Sequence, residues 1–166
     1  MGQIFHAVRG QGAFVVPGDG PGGVDAAAAR LFVSARDRPA DARFCESVES
    51  GHSAQGDAAV VAARLQITGP PLRIDSQAKY AVVARGEADI YLRLPTRADY
   101  REKIWDHAAG ALIVAEAGGV VTDVTGRPLE FNHGRELMAN RGVVVSNGRL
   151  HSQVIDALRE SGIGLE

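Results

Sequence analysis

A single cysteine, Cys45, stands in 166 residues, which excludes an internal disulfide and a Cys-rich zinc cage and fits a reducing compartment. No apolar run reaches the ~18 residues that a membrane-spanning helix needs. The opening stretch, Met1-Gly2-Gln3-Ile4-Phe5-His6, has neither a basic segment nor an apolar core of signal-peptide length, and His6 stands where a myristoylation motif needs Ser or Thr. Charge of one sign is lacking too: 18 Lys and Arg against 20 Asp and Glu give a net charge of −2. That balance excludes a general attraction to nucleic acid or to an anionic membrane. Any affinity for phosphate must therefore be local. A soluble cytoplasmic protein is expected, forming one domain over residues 1–166 with enough length to bury a sizeable core.

The pattern along the chain alternates strands with helices, which argues a layered α/β domain. Residues 3–8 and 13–16 are β-rich runs around Arg9-Gly10-Gln11-Gly12, a hairpin whose glycines can reach positive φ. Gly18-Asp19-Gly20-Pro21-Gly22-Gly23 formally fits a dinucleotide-binding pattern, but Pro21 interrupts the tight turn such a loop requires, and a hairpin extension is the better reading. Strands are expected at 31–34 and 44–48, with a solvated charged loop at 36–43 between them. A helix follows Gly51-His52-Ser53, with Ala58, Val61, Ala62 and Leu65 on one face, and stops before Gly69-Pro70-Pro71. Next come a strand at 72–74 and a helix from about Ser76 to Gly86. Residues 89–94 alternate, with Ile90, Leu92 and Leu94 on one side and Asp89, Tyr91 and Arg93 on a polar side. A buried helix starting near Asp106 and ending at Gly118-Gly119 is followed by strands at 120–122 and 142–146, with a turn at Thr125-Gly126 between them. A helix at 150–159, carrying His151, Val154, Ile155 and Leu158 inward, closes the pattern.

Two helix starts carry candidate chemistry. Asp106 is either an N-cap or a hard oxygen ligand for a metal, since Mg²⁺ beside phosphates takes only one or two carboxylates. At Asp75-Ser76-Gln77-Ala78-Lys79, a helix N-terminus with a hydroxyl and a cation three residues on would bind a phosphate; the bland alternative is a capping Ser76 and a solvated Lys79. Arg93 can fork onto a phosphate beside Tyr91, or pair with Asp89 or Glu102. His52 either stacks on an aromatic ligand or sits exposed, and His107 need not be a ligand merely because it adjoins Asp106. Cys45 is a poor candidate nucleophile.

Trp105-Asp106-His107-Ala108-Ala109-Gly110, with Glu116-Ala117-Gly118-Gly119 and Val120-Val121-Thr122-Asp123, resembles the C-terminal signature of the lithium-sensitive, magnesium-dependent phosphatases that include inositol monophosphatase and fructose-1,6-bisphosphatase. Four further stretches look like the 3′(2′),5′-bisphosphate nucleotidase branch: Cys45-Glu46-Ser47-Val48-Glu49 with Gly51-His52-Ser53, Asp75-Ser76-Gln77-Ala78-Lys79-Tyr80, Ala88-Asp89-Ile90-Tyr91-Leu92-Arg93-Leu94-Pro95, and Glu102-Lys103-Ile104 leading into Trp105. The resemblance implies the C-terminal half of an inositol-phosphatase-like α/β fold, a mixed β-sheet flanked by helices. It implies Mg²⁺ as cofactor, with Asp106 as a ligand. It places His52 at the adenine, and Ser76, Lys79 and Arg93 at the 5′-phosphate side of adenosine 3′,5′-bisphosphate, whose hydrolysis belongs to sulfur assimilation; its sulfated form is a further implied substrate.

The family's remaining metal ligands belong to a Glu and an Asp-Pro-Ile-Asp-Gly-Thr-type motif upstream of the hairpin, and no Asp-Pro pair occurs in the sequence. One carboxylate cannot clamp the two or three ions of an in-line phosphoryl transfer. A truncated product, an enzyme completed by another chain, and a non-catalytic nucleotide-binding remnant are the three resulting expectations, with an inositol monophosphatase-type activity as the alternative. Self-association, or pairing with the missing N-terminal half, is expected to cover the hairpin edge.

Overall fold

Backbone pairing puts the alternating segment after Asp89 at the centre of the molecule. In a computed structural model describing residues 2–18, 28–49, 51, 53–97 and 99–164, a five-stranded sheet runs β5-β4-β6-β8-β7. Its strands are β4 (Phe44–Glu46), β5 (Leu72–Arg73), β6 (Ile90–Arg93), β7 (Val120–Thr122) and β8 (Val143–Ser146). β4 is parallel to β5 and β6, whereas β6 and β7 pair antiparallel with β8, so the sheet is mixed. A separate antiparallel sheet holds β1 (Gln3–Val8), β2 (Gly12–Pro17) and β3 (Ala29–Arg30).

The two faces of the five-stranded sheet bury different sets of side chains, as a period of two requires. Phe44, Ile90, Leu92 and Val144 pack under Ala58 and Val61 of α1 (Gln55–Arg64) and Val154 and Leu158 of α4 (His151–Glu160). Cys45, Tyr91, Val143 and Val145 pack against Tyr80 and Val83 of α2 (Ala78–Ala84) and Val114 of α3 (Ala108–Glu116). Ala13 of β2 and Leu31 close the same cluster from the hairpin side, giving four layers: sheet, helices, sheet, helices. The expected polar side of β6 is thus not a solvent face: α2 packs over Tyr91, and Asp89 is buried against Ser34, Arg36 and the Arg43 N–H.

Several boundaries differ from expectation. No strand forms at 31–34: Leu31 N–H donates to Ala13 but Val33 N–H donates to Ala117, so consecutive bonds go to different elements and no ladder can build. The 36–43 loop is not simply solvated, since Arg36 pairs with fully buried Asp89 at 3.1 Å and residues Pro39–Asp41 form a 3₁₀ turn. α2 and α3 begin two residues later than the sequence suggests, at Ala78 and Ala108. The glycine-rich loop at 18–23 and His52 lie outside the described residues, apart from Gly18. No helix among the described residues is long and apolar enough to cross a membrane.

α2 and α3 approach so closely that Gly110 has no room for a side chain: a Cβ there would sit 2.3 Å from Cγ of Tyr80. Replacing Gly110 by Ala overpacks this contact and is expected to lower unfolding free energy by about 1–3 kcal/mol, read from urea denaturation. A change within about 0.5 kcal/mol, the usual range for surface substitutions, would contradict the contact.

At the far end of α3, Glu116 accepts hydrogen bonds from the Gly10 and Gly12 N–H groups at 2.7 and 2.9 Å, across the β1–β2 turn. These two bonds hold its carboxyl below the usual glutamate range. Because the folded value is depressed, the contribution is complete above the unfolded value of about 4.3 and is lost as pH falls through the folded one. The Gly10 and Gly12 amide resonances are therefore expected to shift only once pH has fallen below the ordinary glutamate range, and Glu116→Ala should displace them already at neutral pH.

Candidate functional site

β6, the start of α2 and the 3₁₀ turn Ile104–Asp106 surround a cavity of about 670 Å³. Ser76, Lys79, Arg93 and Asp106, four of the five residues the sequence singles out, line it together. His52 is outside the described residues.

Asp106 does not cap α3. The capping residue is His107, whose side chain makes no capping bond. A free amide of the first turn, the Gly110 N–H, is instead satisfied by Gln77 Oε1 at 3.2 Å, while Gln77 Nε2 donates to the Trp105 carbonyl at 2.8 Å. One glutamine thus ties the approach to α2 to the start of α3 and does the capping expected of the aspartate. The Asp106 carboxylate has no hydrogen bond or ion pair among the described residues and lies exposed on the cavity wall.

Ser76 also departs from the simple helix start. It adopts φ +62°, a left-handed conformation that costs a non-glycine residue about 1–2 kcal/mol. Its hydroxyl accepts from the Ala78 N–H at 3.4 Å, and α2 has only seven residues, so the dipole argument for an anion loses most of its force. The cations lining the cavity, Lys79 and Arg93, are the stronger candidates for holding an anion. Lys79 is buried; its ammonium donates to the Ile74 carbonyl at 3.4 Å and stands 5.4 Å from the Tyr91 ring centroid. No carboxylate lies within ion-pair distance of it among the described residues. Burial pulls its pKa down, partly countered by Cys45 and Asp75.

Arg93 follows the bland alternative in part: Nε pairs with Glu102 at 3.1 and 3.3 Å, and the Tyr100 hydroxyl also bonds the guanidinium. Glu102 continues into a buried chain. His107 Nε2 lies 3.0 Å from Glu102 Oε2, and His107 Nδ1 lies 2.7 Å from the Tyr80 hydroxyl. A carboxylate held by a guanidinium accepts, so Nε2 carries the imidazole proton and Nδ1 accepts from Tyr80. Burial keeps the Tyr80 phenol well above its ordinary range and protonated. Gln77, Tyr80, Glu102 and His107 went unassigned as site residues in the sequence, because only the packing of α2 on α3 brings them together. Cys45 is buried and its thiol is pushed up to about 12 by that burial, so it is no nucleophile.

Among the described residues no group of three or more His, Cys, Asp or Glu could hold a metal ion. An unpartnered carboxylate at a cavity that also holds Lys79 and Arg93 fits one ligand of a Mg²⁺ shared with an anion and further donors.

A sequence model of the inositol monophosphatase family matches residues 1–162. The chain belongs to the inositol monophosphatase family. Among curated relatives in the family, the 3′(2′),5′-bisphosphate nucleotidase of Emericella nidulans is 52% identical over 161 residues, which cover 96% of this chain and 45% of that one. The Schizosaccharomyces pombe 3′(2′),5′-bisphosphate nucleotidase is 55% identical over 117 residues, covering 70% of this chain and 33% of the other. The chain thus spans less than half the length of these relatives. Among solved structures, the inositol monophosphatase from Anabaena (Nostoc) sp. PCC 7120 superimposes with a TM-score of 0.69 over 95% of this chain and 57% of its own, at 21% identity, and so shares the fold. The extragenic suppressor protein suhB from Bartonella henselae does so with a TM-score of 0.67 at 27% identity, over 95% and 53%.

Replacing Tyr80 by Phe leaves His107 Nδ1 buried without its donor and is expected to cost about 1–3 kcal/mol in urea denaturation. A loss no larger than a few tenths of a kcal/mol would show that the Tyr80–His107 bond contributes nothing net.

Proposed function

We propose that this chain forms the substrate-binding part of a Mg²⁺-dependent 3′(2′),5′-bisphosphate nucleotidase, which converts adenosine 3′,5′-bisphosphate to AMP and phosphate. One observation carries the reading: Ser76, Lys79, Arg93 and Asp106, chosen for phosphate and metal chemistry, line one cavity. The likeness to the Emericella nidulans nucleotidase supports a nucleotide substrate over an inositol phosphate.

In this reading Lys79 and Arg93 bind the phosphate that is not cleaved. Lys79 acts as a point charge, and its burial strengthens the attraction by lowering the local dielectric. Arg93 keeps its remaining N–H groups for phosphate, its plane fixed by Glu102 and Tyr100. Asp106 would hold metal beside the scissile phosphate, and His52 would meet the base. Bound ions of this kind neutralise charge on the phosphoryl oxygens and activate water. One carboxylate is too few for that, so the other donors come from outside the described residues, through an N-terminal half, another chain or self-association. The absence of a complete ligand group among the described residues favours a second reading, nucleotide binding without turnover.

Phosphate release from adenosine 3′,5′-bisphosphate by the purified chain, with and without Mg²⁺, separates the two. Mg²⁺-dependent release that Asp106→Asn abolishes supports hydrolysis. No release, with nucleotide affinity falling about tenfold in Lys79→Ala, supports binding alone, tenfold being what a lost charge-assisted hydrogen bond costs. A chain that neither binds nor cleaves the nucleotide sinks both readings.

A further inference from the structure

The cavity does not end at Arg93. A second one, of about 360 Å³, shares the Arg93–Glu102 pair with it as lining. Thr96, Arg97 and Tyr100 line it, with Gly51 at its margin. Its chemistry is that of an anion site: a guanidinium, a hydroxyl and no uncommitted carboxylate, since Glu102 is already bonded to Arg93 and His107.

Tyr100 couples the two arginines. Its hydroxyl bonds Arg93, and Arg97 Cζ stands 6.0 Å from its ring centroid. Lys103 Nζ approaches the same ring at 5.6 Å. Arg93 and Arg97 thus approach the same tyrosine, one at its hydroxyl and the other near its ring. Arg97 is held otherwise by Asp99 at 3.6 Å, and both partners are largely exposed. A surface pair of this kind is worth little and gives way to a better anion. Lys79 and Arg93 line the first cavity and Arg93 and Arg97 the second, so Arg93 is the cation common to both.

We propose that Arg97 is a specificity-determining residue that reads, from the second cavity, the anionic group of the substrate farthest from Asp106. This rests on the function proposed above. A nucleotide with a single phosphate has nothing to place there. A ligand with two anionic groups separated by a sugar bridges from Asp106 to the arginine pair, and a further charge on the distal group extends into the second cavity. Arg97 therefore selects for bisphosphates over monophosphates without touching the phosphate that is cleaved.

The test titrates the purified chain with adenosine 3′,5′-bisphosphate and with adenosine 3′-monophosphate, following the fluorescence of Trp105, the only tryptophan and the neighbour of Asp106. Arg97→Ala should weaken the bisphosphate about tenfold, the cost of a charge-assisted hydrogen bond, and leave the monophosphate unchanged. Arg97→Lys should restore much of the loss. Equal weakening of both ligands, or of neither, overturns the role of Arg97. Lys79→Ala tells this apart from failure of the underlying reading: if it too leaves bisphosphate affinity unchanged, the nucleotide site itself is wrong. Arg97 is an exposed loop residue, so its replacement leaves the fold intact.

Discussion

The contact on which the site depends is the close packing of α2 on α3. Gly110 lets the Tyr80 ring lie against the backbone of α3, and with the helices at that distance Gln77 reaches the Gly110 N–H and the Trp105 carbonyl together. Two consequences follow. The first turn of α3 is capped from another element, which leaves Asp106 without a structural task. And Tyr80, His107 and Glu102 line up in hydrogen-bond order, which fixes the carboxylate that holds Arg93. The cavity wall is therefore a product of helix packing as much as of the residues that face the cavity.

The electrostatics follow from burial. Arg93 and Glu102 are both largely withdrawn from water and are bonded to each other, and removing one partner of such a pair strands the other. Lys79 has no carboxylate partner among the described residues and is partly compensated by a carbonyl and an aromatic face. Under the proposed function, a cation with so little compensation is where an anion of the substrate binds. Ser76, held in a left-handed conformation beside it, is the kind of local strain that surrounding structure maintains at functional positions.

Membership in the inositol monophosphatase family accounts for the layered arrangement. Under the proposed function the metal chemistry is only partly represented. Asp106 is a single oxygen donor, and phosphoryl transfer needs ions held on both sides of the reacting phosphorus. Under the proposed function, binding and catalysis are thus separable in this chain in a way that they are not where all ligands converge.

Much of the fold was legible in local pattern. The β1–β2 hairpin is written in two glycines at positive φ, Gly10 and Gly12, between alternating runs, and α1 and α4 in the spacing of Ala58 with Val61 and of Val154 with Leu158. These signals depend on neighbours in sequence, so a sequence carries them. Residue type likewise pointed to Ser76, Lys79, Arg93 and Asp106. What only the tertiary structure decided is which bland alternative each of them takes. Asp106 loses its capping role to Gln77, 29 positions earlier, and Arg93 takes Glu102 rather than Asp89, which is spent on Ser34, Arg36 and the Arg43 amide. The polar side of β6 becomes a cavity wall because α2 folds over it. Competition for hydrogen-bond partners is settled by distances between elements, and no local stretch of sequence contains those distances.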